Sequence, residues 1–281
     1  MAPSATTARR LLGLELRSAR NRADLSQSAL AAKSGCGQVT ITRYEQELGP
    51  VKQENLHRIV QALRIKGEDA DNLFRLAMAS RARTPWLGER KAVAEWVRFV
   101  YETECDASRI LNWNSERMPG PLQSEHFMLA LHGLDGATDV TPQVAMRTRR
   151  RELFDSGVLE NYGCVLGEAF FERLPHQLGP AAALDQVRHL FDLAEHRKIS
   201  LQVLPFTARI RHLESDFMVM QFPEAQLDYA FVEYLNGARQ INPDEGLDAF
   251  EQEWQKISEA AWNTIKSRDY LAELAQRLAG P

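Results

Sequence analysis

The sequence has little that would build a covalent or metal framework. Its 281 residues include three cysteines, Cys36, Cys105 and Cys164, set far apart and without a paired spacing. A disulfide scaffold is therefore not expected, and the three read as reduced, buried or incidental thiols of a cytoplasmic chain. No uninterrupted apolar run reaches the ~18 residues of a membrane helix, so no membrane partner is expected. The opening MAPSATTARR is basic but has no apolar run before a cleavage-like site, so no signal peptide is expected. The seven histidines (57, 126, 132, 176, 189, 196 and 212) form no His-Glu-x-x-His pattern and have no Cys-x-x-Cys companion, which sets metal binding aside. There is no glycine-rich phosphate loop, internal repeat or low-complexity tract. With no catalytic set in view, the chain reads as a non-enzyme without a cofactor.

What is present is apolar mass and an uneven charge. Hydrophobic residues make up 44% and charged residues 26%, enough for a real core in one large or two ordinary domains. The net charge of −4 conceals two opposite parts. Residues 1–84 hold 14 Lys+Arg against 8 Asp+Glu, a net of +6; the remainder holds 20 against 30, a net of −10. A basic head on an acidic body fits a polyanion-binding module joined to one that does not bind polyanions.

The head reads as five short helices and no strand. The pattern predicts helices over 8–22, 27–33, 38–46, 54–63 and 69–81, with Leu12, Leu16 and Ala19 inward on the first and Leu56, Ile59, Val60 and Leu63 on the fourth. Ser26 is an N-cap, Gly35 a break and Gly49-Pro50 a stop. The organisation expected is a head over 1–82, a linker over 83–88 and an α+β domain over 89–281. In that domain the pattern predicts helices over 89–104, 123–134, 142–156, 168–174, 181–196 and 244–266, with a last turn or two over 270–278. Strand-like runs lie at 108–113, 162–166, 199–204, 216–222 and 229–235, for a sheet of about four strands.

The segment Leu25–Gln46 carries the strongest pattern. Ser26 and Gln27 give a capped, polar helix start near a phosphate, Leu30 faces the core, and Ala31 is small where two helices cross. Gly35 tolerates the positive φ of a tight turn. The next helix has Val39 or Ile41, and Tyr44, to bury. It also has a polar face of Gln38, Thr40 and Arg43, with Thr42 beside them. Glutamine bonds adenine, arginine bonds guanine, and threonine meets a base, a phosphate or a thymine methyl.

Residues 9–66 thus resemble the phage-repressor and Cro type of helix-turn-helix, the group named for xenobiotic-response regulators. The resemblance is carried by Leu25-Ser26-Gln27-Ser28-Ala29-Leu30-Ala31, Gly35 and Thr40-Ile41-Thr42-Arg43-Tyr44-Glu45. It implies a repressor-like regulator of transcription on double-stranded DNA, with Gln27, Gln38, Thr40 and Arg43 facing the DNA. It also implies that Arg20 and Glu45 form a structural ion pair tying the first helix to the reading helix. Two positions depart from the pattern. Gly37 is a weak cap, and Glu47 brings negative charge to a loop that is usually basic. Both argue for binding as a homodimer on two half-sites.

Residues 90–275 are similar to the C-terminal domain of many actinobacterial regulators of this kind. The similarity runs through Ala107-Ser108-Arg109-Ile110-Leu111-Asn112-Trp113, Met118-Pro119-Gly120-Pro121-Leu122-Gln123-Ser124-Glu125, Leu166-Gly167-Glu168-Ala169 and Ile199-Ser200-Leu201-Gln202-Val203-Leu204-Pro205-Phe206. It implies an antitoxin-like regulator, cytoplasmic and nucleoid-associated, paired with a small protein encoded nearby. The alternative is a one-component transcription factor whose second domain senses a small molecule. The other conspicuous residues have structural readings. His189 and His196 read as a solvated face, as does the run Arg147, Arg149, Arg150, Arg151. Glu168 reads as a helix-start carboxylate, and Trp96, Trp113, Trp254 and Trp262 as core.

Overall fold

The computed structural model describes residues 3–82, 94–134, 144–145, 150–213 and 215–280. The chain divides into two compact units, Met1–Leu87 and Gly88–Pro281. Residues 83–93, where a linker and the start of a helix are expected, lie outside the described residues, as do Arg147 and Arg149.

The first unit is helical throughout its described residues. Its helices are α1 (Ala5–Arg22), α2 (Gln27–Ser34), α3 (Gln38–Glu45), α4 (Gln53–Leu63) and α5 (Glu68–Ala79). Local chemistry sets their ends. The Ser4 and Ser26 hydroxyls accept from the N–H groups of Thr7 and Ala29, and Gly35 closes α2 at φ 67°. Apolar residues at helical spacing then meet in one core, in which Leu12, Leu16, Leu30, Ile41, Leu56 and Ile59 are almost fully buried. α1 packs on α3 and α5, and α2 packs on α3 and α4. The α1–α3 approach requires Gly13, because a Cβ there would lie 2.8 Å from the Tyr44 carbonyl oxygen.

The second unit is α+β. Its strands are β1 (Arg109–Asn114), β2 (Asn161–Gly167), β3 (Ile199–Leu204), β4 (Phe217–Gln221), β5 (Tyr229–Tyr234) and β6 (Gly237–Ile241). They form one sheet in the order β3-β2-β1-β4-β5-β6. β1, β2 and β3 run parallel, while β4, β5 and β6 add in antiparallel fashion. Six strands form, five at the strand-like runs and a sixth that the pattern does not predict, in place of a sheet of about four. β6 escapes a sequence reading because Gly-Ala-Arg-Gln-Ile buries only its two ends at the sheet edge.

Helices α6 (Glu95–Thr103), α7 (Glu125–Leu134), α8 (Glu152–Asp155), α9 (Glu168–Leu178), α10 (Pro180–Leu193), α11 (Leu247–Ala260) and α12 (Thr264–Ala279) complete the described part of this unit. Leu111 and Trp113 of β1 join Val165, Val219 and Ala230 on one sheet face and pack with Leu247, Trp254 and Ile257 of α11. The single helix expected over 244–266 is two helices. Ala261 adopts an extended backbone, and Asn263 starts α12 by accepting from Lys266 N. Bonds to β3 hold the break: Trp262 N donates to Val203 O, and Gln202 Nε2 donates to Ser258 O and Trp262 O. One continuous helix would carry the apolar spacing of Leu247, Phe250, Trp254, Ile257 and Ala261 on to Ile265, which is instead 73% exposed.

Three side chains depart from their expected surroundings. Arg150 is no solvated residue. It is buried and donates through Nε and Nη2 to the two carboxylate oxygens of Glu104, each at 2.6 Å. His189 is not solvated either: burial, aided by Arg151, lowers its pKa to about 4 against the pull of Asp185 and Asp192. Trp96 is 39% exposed and donates to Glu233, whereas Trp113 and Trp254 are core residues. Glu168, in the first turn of α9, accepts from Phe206 N at 2.7 Å and pins the loop after β3.

Candidate nucleic-acid interface

The face that bears the predicted reading residues belongs to α3. Ile41 and Tyr44, three apart, turn into the core and fix the rotation of the helix. Tyr44 is anchored further, since its hydroxyl accepts from Lys52 N and from Asn55 Nδ2 at 3.2 and 2.8 Å. Gln38 and Arg43 are then exposed, and Thr40 is half-buried. The choice between Val39 and Ile41 is settled by this rotation. Ile41 is buried, and Val39 is 74% exposed beside Gln38.

Beneath that face lies a polar cluster. Arg20 of α1 meets Glu45 at the end of α3 in a forked pair, Nε to Oε1 at 2.6 Å and Nη2 to Oε2 at 2.8 Å. Its remaining nitrogen reaches Leu25 O and Asn21 Oδ1. Gln27 Nε2 donates to Glu45 Oε2, and Thr42 Oγ1 donates to Gln27 Oε1, both at 2.8 Å. Arg17 adds a bond to Glu45 O at 2.7 Å. Burial opposes the charge on Glu45, but the bonds from Arg20 and Gln27 and the attraction of Arg20 and Arg17 outweigh it, so its pKa lies below the ordinary value. One carboxylate thereby joins α1, α2 and α3. Both ends of the Gln27 amide are engaged inside the cluster.

The start of α3 has no side-chain cap at Gly37, leaving its first N–H groups without a capping oxygen. Arg43 folds over the following loop and donates through Nη2 to Leu48 O at 3.1 Å, an exposed bond. Glu47 behaves differently from expectation. It has φ 63° and turns toward α1, where Arg10 Nε lies 3.7 Å from its carboxylate. Burial raises its pKa against the pull of Arg10, Arg17 and Arg9. Its charge is thus matched within the head.

The second unit holds a concave site of its own, a cavity of about 380 Å³. Asn112, Asn114 and Met218 line its sheet side, and Phe127 and Phe170 line its helical side. The signal for it in the sequence is small: Arg-Ile-Leu-Asn-Trp-Asn puts two asparagines two apart on one face of an otherwise apolar strand. Among the described residues no group of acidic, histidine and cysteine side chains could hold a metal ion. No described helix is long and apolar enough to cross a membrane.

Residues 97–273, well over half the chain, match the family described as "Domain of unknown function (DUF5753)". Residues 11–73 match a helix-turn-helix domain. No curated protein and no solved structure matches the chain.

Proposed function

We propose that this chain, which belongs to the DUF5753 family and carries a helix-turn-helix DNA-binding head, is a sequence-specific transcription regulator that reads double-stranded DNA with α3 in the major groove. The observation that carries the reading is the exposure of Gln38 and Arg43 on the one face of α3 that the core leaves free. Gln38 is assigned to an adenine edge and Arg43 to a guanine edge, with Thr40 on a base or phosphate. Val39 joins them as an apolar contact for a thymine methyl. Arg43 leaves Leu48 O to do so, and the exposed bond it breaks is a weak one. Gln27 acts by holding α2 to α3, since both ends of its amide bond Glu45 and Thr42.

A homodimer on two half-sites remains part of the reading. Its support is the uncapped start at Gly37 and the modest size of one reading face. Glu47 no longer contributes to that case, because its charge meets Arg10. For the C-terminal domain, an antitoxin-like pairing with a small protein encoded nearby rests on the resemblance. The second reading, a one-component sensor of a small molecule, rests on the cavity against β1.

Genome-wide mapping of bound sites, with a pull-down from the same extract, tests the whole reading. A shared sequence motif at the bound sites supports the regulator, and occupancy without any motif overturns it. A small co-eluting protein encoded beside the gene supports the pairing. Its absence leaves the sensor as the mode of control.

A further inference from the structure

The cavity in the second unit is unusual in what it leaves unsatisfied. Asn112 and Asn114 stand on the face of β1 opposite Leu111 and Trp113, and both line the cavity. Asn112 is 5% exposed and neighbours Cys164 and Met218 in the sheet register. Its side-chain amide hydrogen-bonds the Tyr162 phenol. Asn114 Oδ1 and Oε1 of Gln123, which is also 5% exposed, have no hydrogen-bond partner among the described residues. Gln123 is held in position, because its Nε2 donates to Met118 O at 2.8 Å. Two residues that line one space therefore each hold an unpaired acceptor. Burying such groups without partners is costly, so they ask for a donor from outside.

The cations around the space are already matched. Arg150 forks onto Glu104, Arg117 pairs with Glu233 at 3.2 Å, and Arg173 pairs with Glu116. Asp216 accepts from the backbone N–H and hydroxyl of Ser115 at 2.8 and 2.7 Å. Among the described residues that line it, no free cation is left over for an anionic ligand. Most of the remaining wall is apolar, including Val100, Phe127, Phe170 and Phe231. A volume of about 380 Å³ falls in the range of small-molecule sites.

We infer that this cavity binds a non-anionic small molecule with an apolar body and a carboxamide-like head that donates hydrogen bonds. The head donates to Asn114 Oδ1 and Gln123 Oε1, while the body lies against the phenylalanines. The inference deepens the sensor reading of the C-terminal domain and rests on it.

The test uses the full chain, titrated with benzamide, hexanamide and 4-phenylbutanamide and with the matching carboxylates, followed by saturation-transfer NMR and by Tm. The amides bind saturably and raise Tm, and the carboxylates bind at least about ten-fold more weakly, since an unpaired charge is penalised there. Asn114→Leu weakens amide binding by about ten-fold or more and leaves Tm unchanged or higher, because it removes an unsatisfied oxygen. Gln123→Met provides a second loss of binding should the first variant fold poorly. Saturable amide binding without any change in DNA affinity supports the cavity and counts against the sensor. The inference is overturned if no amide binds, if amides and carboxylates bind alike, if both variants bind as well as the wild type, or if Asn114→Leu lowers Tm.

Discussion

In the head, the side chains of Arg20, Glu45, Gln27 and Thr42 bond one another at 2.6–2.8 Å. On the cavity side of the second unit's sheet, Asn114 and Gln123 each leave an oxygen without a partner among the described residues. The contrast separates two uses of buried polar groups. A closed cluster joins three helices beneath the face proposed to read DNA. An open one leaves acceptors unsatisfied within the fold. Both cost desolvation, and only the first recovers it within the fold.

Breaking the closed cluster gives the largest expected effect. Arg20→Ala strands the buried Glu45 carboxylate and lowers the stability of the head by about 3 kcal/mol. Hydrogen exchange localises the loss, because the head amides should exchange faster while those of β1 and β2 stay protected. Equal loosening of both units would break the comparison. Thr42→Val is milder. It removes the hydroxyl bonded to Gln27 Oε1, costs about 1 kcal/mol of head stability in urea unfolding, and weakens DNA binding by loosening α2 from α3.

Acid sharpens the comparison further. In the second unit, His189 titrates at about 4 against a reference of 6.5, chiefly through burial and then Arg151. The unfolded chain takes up that proton first, so this unit loses stability as pH falls from 6.5 through about 4. In the head, the lowered pKa of Glu45 gives stability that is present above the reference value of 4.5 and lost as pH falls through the folded value. The raised pKa of Glu47 works in the opposite sense. The raised pKa of the buried Glu104 carboxyl opposes His189 within the second unit, so amides of that unit should lose protection between pH 6.5 and 4.5 by an amount that His189→Phe largely removes. A loss left unchanged by His189→Phe would contradict the assignment.

Legibility in the sequence followed the range of the interactions. The reading helix was visible because its buried and exposed positions alternate within a few residues, from Gln38 to Glu45. The two-part architecture was visible in the change from helical to strand-like periodicity. What stayed hidden depended on distant partners or on backbone angles. The positive φ at Glu47 turns a side chain that looked DNA-facing toward Arg10, far back in the chain. The link from Thr42 through Gln27 to Glu45 needs three helices already in place. Arg150 read as one of a basic run until Glu104 was brought beside it. The cavity is assembled from β1, the loop at Gln123, and helices separated along the chain, and its local signal is limited to the two asparagines of β1.

The most direct measurement is a gel-shift titration on a DNA fragment recovered by genome-wide mapping, with nonspecific DNA as competitor. Gln38→Ala and Arg43→Ala should each lose about 1–3 kcal/mol of specific binding. Nonspecific binding should fall less, and Tm should match the wild type. Specific affinity unchanged in both variants would contradict the reading face assigned to α3.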